Sequence, residues 1–123
     1  MATPFPDITS AVGNDWSVLG RRVRATELIA RRVPAGARGQ IRCIGKRCAF
    51  KRKTVRARRG SINFLKALKK KQRRWRAGQT IEVRITAPNF NGKVVRFKLK
   101  RNKIPKGQTL CLPNGRTRPV RSC

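Results

Sequence analysis

Histidine and tyrosine are absent from the 123 residues, Met1 is the only methionine, and the acids number four: Asp7, Asp15, Glu27 and Glu82. Without histidine the usual general acid–base residue is missing, and neither a His-based triad nor a His-containing metal site can be built. Hydrolysis by two carboxylates needs two acids to converge, and these four are scattered along the chain. A Ser–Lys dyad remains formally available through Ser10, Ser17, Ser61 or Ser122, yet nothing around them resembles a nucleophile elbow. The reading is a non-enzyme with no cofactor and no metal. Aromatics are few (two Trp, five Phe), and no apolar run approaches the ~20 residues of a membrane-spanning helix.

Against four acids stand 33 Lys and Arg, a formal net charge of +29. Such a surface repels itself in the compact state and attracts polyanions. Hydrophobic residues make up 38 %, low for a globular chain, so the case for folding rests on how they are arranged.

Ile81-Glu82-Val83-Arg84-Ile85-Thr86 alternates strictly, and so does Val95-Arg96-Phe97-Lys98-Leu99-Lys100. Each puts three apolar residues on one face of a strand. Between them lies Ala87-Pro88-Asn89-Phe90-Asn91-Gly92, whose Asn-Gly dipeptide suits the positive backbone angles of a tight reversal. A β-hairpin is expected. Upstream, Val23 and Ala25 alternate with arginines and run on to Ala30, and Pro34–Ala37 forms a turn. Short strands follow over Gln40–Cys43 and Lys53–Arg56, and Asp7–Val12 reads as a first edge strand. Strands at turn-punctuated intervals predict an all-β antiparallel sandwich.

Segment 62–76 has two readings. Phe64, Leu68 and Trp75 are spaced for one face of a cationic amphipathic helix. Alternatively, Ser61–Leu65 is a strand followed by a basic loop, with at most a short helical turn near 65–75. The order Trp75, Gly78, then alternation from Ile81 favours the second. It resembles the corner that enters a strand in immunoglobulin-like and fibronectin-type sandwiches.

Four cysteines allow three full pairings. Cys43 and Cys48 close a short loop in which Gly45 permits a reversal, and Cys111 with Cys123 ties down the C-terminal segment. The competing reading is a four-thiolate zinc site, but the eleven residues between Cys111 and Cys123 far exceed the usual two to four. Disulfides imply an oxidising compartment. Met1–Pro4 has neither a basic n-region nor an apolar stretch, so residues 1–4 read as the remnant of a leader or of an expression tag, and 5–123 as one domain. Secretion or cell-surface display is expected with the signal peptide absent from this chain; reduced cysteines would place the protein in the cytoplasm.

Phe5-Pro6, Pro34–Ala37, Ile41-Arg42-Cys43 with Cys48, Trp75 and Gly78, Val83–Thr86, Gly92–Phe97, Cys111-Leu112-Pro113 and Pro119–Cys123 together carry a wider likeness. On these residues nearly the whole chain resembles an arginine-rich domain of uncharacterised secreted proteins from high-GC Gram-positive bacteria. The resemblance implies an immunoglobulin-like sandwich, export and a disulfide pattern, and supplies no activity. This chain departs from the pattern in its extra lysines and in Trp75 where a leucine is usual.

Candidate polyanion-binding residues fall in three clusters. Lys69, Lys70, Lys71, Arg73 and Arg74 are the densest. Arg96, Lys98 and Lys100 should line the outside of one strand about 7 Å apart, with Arg84 on the strand before. Lys51, Arg52 and Lys53 form the third. Phe90 and Trp16 are the candidates for stacking on a base. No helix–turn–helix, zinc-finger or RNA-recognition signature is visible, so binding should be to phosphate charge, weakly selective and weakened by salt. The expected partner is an anionic polymer, either extracellular nucleic acid or cell-envelope polymer, or an acidic protein. Two other readings fit the charge: an intracellular nucleic-acid-binding protein of ribosomal or nucleoid type, and a membrane-active cationic protein acting through 62–76.

Overall fold

Residues 5–123 are described in a computed structural model; the reading of residues 1–4 lies outside it. In chain order the strands are β1 (Val12–Leu19), β2 (Arg22–Arg31), β3 (Arg38–Ile44), β4 (Arg52–Arg56), β5 (Ser61–Asn63), β6 (Arg74–Arg76), β7 (Thr80–Thr86), β8 (Gly92–Lys98) and β9 (Gly107–Leu112). They form two antiparallel sheets. One has the order β4-β3-β7-β8-β9; in the other, β2 pairs with β1 on one side and with β5 and β6 on the other.

The core lies between the sheets, and alternation decides what enters it. Ile41, Ile81, Val83, Ile85 and Phe97 point inward from the larger sheet; Val23, Ala25, Leu28, Ala30, Ile62 and Trp75 point inward from the smaller one, and all are buried. Trp16 on β1 spans the gap, its ring 5.0 Å from Phe97 and 6.0 Å from Trp75. Burying a large apolar side chain stabilises by about 1.5–3 kcal/mol, which offsets the self-repulsion of the charged exterior. Gly39 lets the sheets pack closely, since a Cβ there would stand 2.5 Å from Ile62 and 2.8 Å from Phe64.

The expected all-β sandwich is the observed architecture, with three local corrections, and segment 62–76 follows the favoured strand-and-loop reading. Asp7–Val12 is not an edge strand: Asp7 makes one isolated bridge to Asn91, and β1 begins at Val12. Ile8 and Ser10 are buried and alternate with exposed Thr9 and Ala11, but the segment makes single contacts to different neighbours, Ile8 N–H to the Asn91 carbonyl and Ser10 Oγ to the Arg32 carbonyl, and builds no ladder. The β7–β8 hairpin forms in the register that pairs Ile81 with Phe97 and Val83 with Val95, but Asn91-Gly92 is not its turn. The left-handed residue is Asn89, with φ 63°. Asn91 is buried and binds the N-terminal segment, its side chain donating to the Phe5 carbonyl and to the Asp7 carboxylate. Gly92 already belongs to β8, where a Cβ would crowd the Ile85 carbonyl at 2.9 Å.

Segment 62–76 is not an amphipathic helix. It runs from β5 through two single 3₁₀ turns, Phe64–Ala67 and Lys70–Arg73, into β6. Asn63 caps the first turn by accepting from the Leu65 N–H. Phe64, Leu68 and Trp75 are all buried, so their fourfold and sevenfold spacing reflects core packing and leaves no apolar helix face exposed. The third correction is β9, which lacks clear alternation in the sequence. It pairs with β8 along its whole length and carries Leu110 and Leu112 onto Val94, a small apolar cluster outside the main core.

Both expected disulfides are present, Cys43–Cys48 and Cys111–Cys123, each with Cα atoms 5.8 Å apart. The cysteines are therefore paired and are not zinc ligands. Among the described residues no helix is long and apolar enough to cross a membrane.

Candidate polyanion-binding surface

Strand register sets the cations of the larger sheet in cross-strand rows on its outer face. Arg42 stands opposite Arg52 on one side and Glu82 on the other, and Glu82 stands opposite Arg96. One carboxylate therefore sits within a row of arginines. It is fully buried, accepting from Arg84 Nε on one oxygen and Arg96 Nε on the other, both at 2.5 Å. Burial pushes the Glu82 pKa up, but the hydrogen bonds from Arg96 and Arg84 outweigh it and hold the carboxyl below its ordinary 4.5. The Arg42 pKa is lowered as well, in its case at the expense of the charged form, by burial and then by the neighbouring charge of Arg84.

This arrangement corrects the sequence-based assignment of Arg84. Its side chain is 8 % exposed, is bound to Glu82, and donates from Nη1 to the Thr117 carbonyl at 3.0 Å. It anchors the C-terminal segment against the sheet and cannot meet a polymer. Arg96 retains 34 % exposure beside the same carboxylate. Lys98 and Lys100 are exposed, and with Arg96, Lys103 and Lys106 they border a shallow cleft of about 400 Å³ under Ile104 and Pro105. The fold thus brings Arg96, Lys98 and Lys100 together and separates Arg84 from them.

The dense basic cluster is divided as well. Lys69, Lys70, Lys71 and Arg74 are exposed, whereas Arg73 is half-buried and donates to the carbonyls of Leu65 and Leu68 at 2.7 and 3.2 Å. Arg73 ties the two 3₁₀ turns together and is a structural residue. Lys51, Arg52 and Lys53 are exposed at the start of β4. Trp16 is no stacking platform: its ring is in the core and its Nε1 donates to Asn14 at 2.9 Å. Phe90, in the β7–β8 loop, is half-buried and packs against the core, so only part of its ring is open.

Of the arginines of the smaller sheet, sequence reasoning singled out Arg74 and missed Arg22, Arg24 and Arg76. Arg22 and Arg24 on β2 stand directly opposite Arg76 and Arg74 on β6. The signal was present in two short triplets, Arg22-Val23-Arg24 and Arg74-Trp75-Arg76, each an apolar residue between two arginines. Only the pairing of these distant segments shows that the four cations share one face. Comparison of the chain with protein-family models, with curated proteins and with solved structures gives no match.

Proposed function

We propose that the protein is a non-catalytic binding module that associates electrostatically with an anionic polymer: extracellular nucleic acid, a cell-envelope polymer or an acidic partner protein. The observation that carries this reading is the shortage of internal counter-charge. Among the described residues three of the 33 cations, Arg31, Arg84 and Arg96, pair with a carboxylate. The rest face solvent or bind neutral groups, and a partner of opposite charge relieves their repulsion.

The paired cysteines favour an oxidising compartment, and with it a secreted or surface-displayed protein, in keeping with the resemblance to secreted arginine-rich domains. Association by charge is salt-sensitive and tolerates exchange of one polyanion for another. The test is competition. A labelled single-stranded DNA bound at low ionic strength should be displaced by heparin and by polyphosphate, released at about 0.5 M salt, and untouched by a neutral dextran. Binding that persists in high salt, or displacement by the neutral polymer, overturns the proposal.

A further inference from the structure

We infer that the outer face of the smaller sheet, over β1, β2 and β6, is a binding groove for single-stranded nucleic acid; the inference rests on the polyanion-binding reading above. Arg22 pairs with Arg76 and Arg24 with Arg74 across the strands. Directly opposed residues lie about 5 Å apart, and the two rows about 7 Å apart. Like charges in such positions destabilise a sheet. Here two such pairs are stacked on one another, and an anion seated between them removes the repulsion.

The surface is concave. A groove of about 760 Å³ lies over these strands, and Arg47 joins the four arginines at its edge. None of its lining residues is acidic. The nearest acids on the same face, Asp15 and Glu27, stand opposite one another in the next row. Glu27 is engaged by Arg31 at 3.6 Å, and Asp15 accepts the Trp16 N–H at 3.0 Å. Positive potential is therefore concentrated in the groove rather than neutralised there.

Two features select the ligand class. All five cationic lining residues are arginine, although the chain carries twelve lysines. A guanidinium grips a phosphate through two parallel N–H bonds and also stacks its plane on a flat ring. Beside the arginines Leu19, itself 76 % exposed, offers an apolar surface, while the side chains of Val23 and Trp75 turn inward and form the floor under the groove. Guanidinium planes that can grip phosphate or stack on a ring, with one exposed apolar side chain at their edge, suit a strand that alternates phosphate with unstacked base. A sulfated glycan has charge but no flat apolar face, and a duplex hides its bases inside.

The test measures fluorescence anisotropy with a labelled oligothymidylate of about 12 nucleotides. It compares the wild type with Arg24→Gln/Arg74→Gln and with Arg116→Gln/Arg118→Gln, which removes equal charge from the C-terminal segment beyond the other sheet. Thermal melting of each variant monitors folding, and the groove variant should melt no lower than wild type because it loses an opposed like-charge pair. The groove variant should bind at least about tenfold more weakly, and its log–log salt slope should fall by about 1.4. The C-terminal variant should stay within about threefold of wild type. Equal losses from the two variants overturn the groove and leave polyanion binding intact. A loss of heparin affinity without loss of oligonucleotide affinity overturns the assignment to nucleic acid. Failure of the wild type to bind oligonucleotide, heparin or polyphosphate overturns both this inference and the reading on which it rests.

Discussion

The buried carboxylate of Glu82 accepts one hydrogen bond from Arg84 and another from Arg96, a separate oxygen serving each arginine. Arg84 in turn reaches the Thr117 carbonyl. One acid therefore links β7, β8 and the C-terminal segment. In a chain of net charge +29, it is the carboxylate whose removal leaves a buried cation unpaired.

Glu82→Gln preserves shape and removes the charge. Breaking a buried pair from one side costs about 3–5 kcal/mol, and this substitution is expected to fall near the lower figure because Arg96 retains contact with water. Urea unfolding checks it. Glu82→Leu combined with Arg84→Met should recover much of the loss, since it removes both buried charges together.

Acid should destabilise the protein through the same residue. The folded pKa of Glu82 lies below its ordinary 4.5, so its contribution is fully present above the unfolded value and is lost as pH falls through the folded one. The urea midpoint of the wild type should hold from about pH 7 to about pH 5 and drop at lower pH. In Glu82→Gln that part of the drop should be missing. Parallel curves for the two proteins would refute this assignment.

Gly39→Ala probes the contact between sheets. The added methyl meets Ile62 of the opposite sheet and Phe64 of the 3₁₀ turn that follows it, and overpacking of this kind typically costs about 1–3 kcal/mol. Thermal unfolding should show a clear fall in Tm for Gly39→Ala. Gly20→Ala, in the turn after β1, meets no neighbour within 4 Å but sits at φ 62°. Its penalty should be that of backbone strain alone, about 1 kcal/mol.

Reduction separates the two staples. Loops closed across 5 and 12 residues contribute about 2 and about 3 kcal/mol by chain entropy. Cys111→Ser/Cys123→Ser should therefore cost more than Cys43→Ser/Cys48→Ser. It should also raise hydrogen exchange at Val120, whose backbone pairs with Cys111 in both directions at 2.7 and 2.8 Å.

The fold was legible where alternation was strict. Ile81–Ile85 and Val95–Phe97 announced the central hairpin because each inward residue is aliphatic or aromatic and each neighbour is polar. β9 was hidden because Leu110 and Leu112 serve a small outer cluster that depends on Val94 of a neighbouring strand. Asn91-Gly92 misled for a different reason: the dipeptide suits a turn, but Asn91 is held by Phe5 and Asp7, more than eighty residues away. The binding clusters were legible as charge and not as geometry. Arg73 and Arg84 carry the same charge as their neighbours, yet carbonyls and a carboxylate claim them. Conversely, Arg22, Arg24 and Arg76 stood in no dense run, and only the β2–β6 register gathers them.

The most direct test of the central claim is the dependence of oligonucleotide affinity on salt for the wild-type protein. Binding through several phosphates requires the logarithm of the association constant to fall linearly with the logarithm of salt concentration, with a slope of about −2 or steeper on a single strand. A slope near zero, or no binding at low salt, would contradict the account.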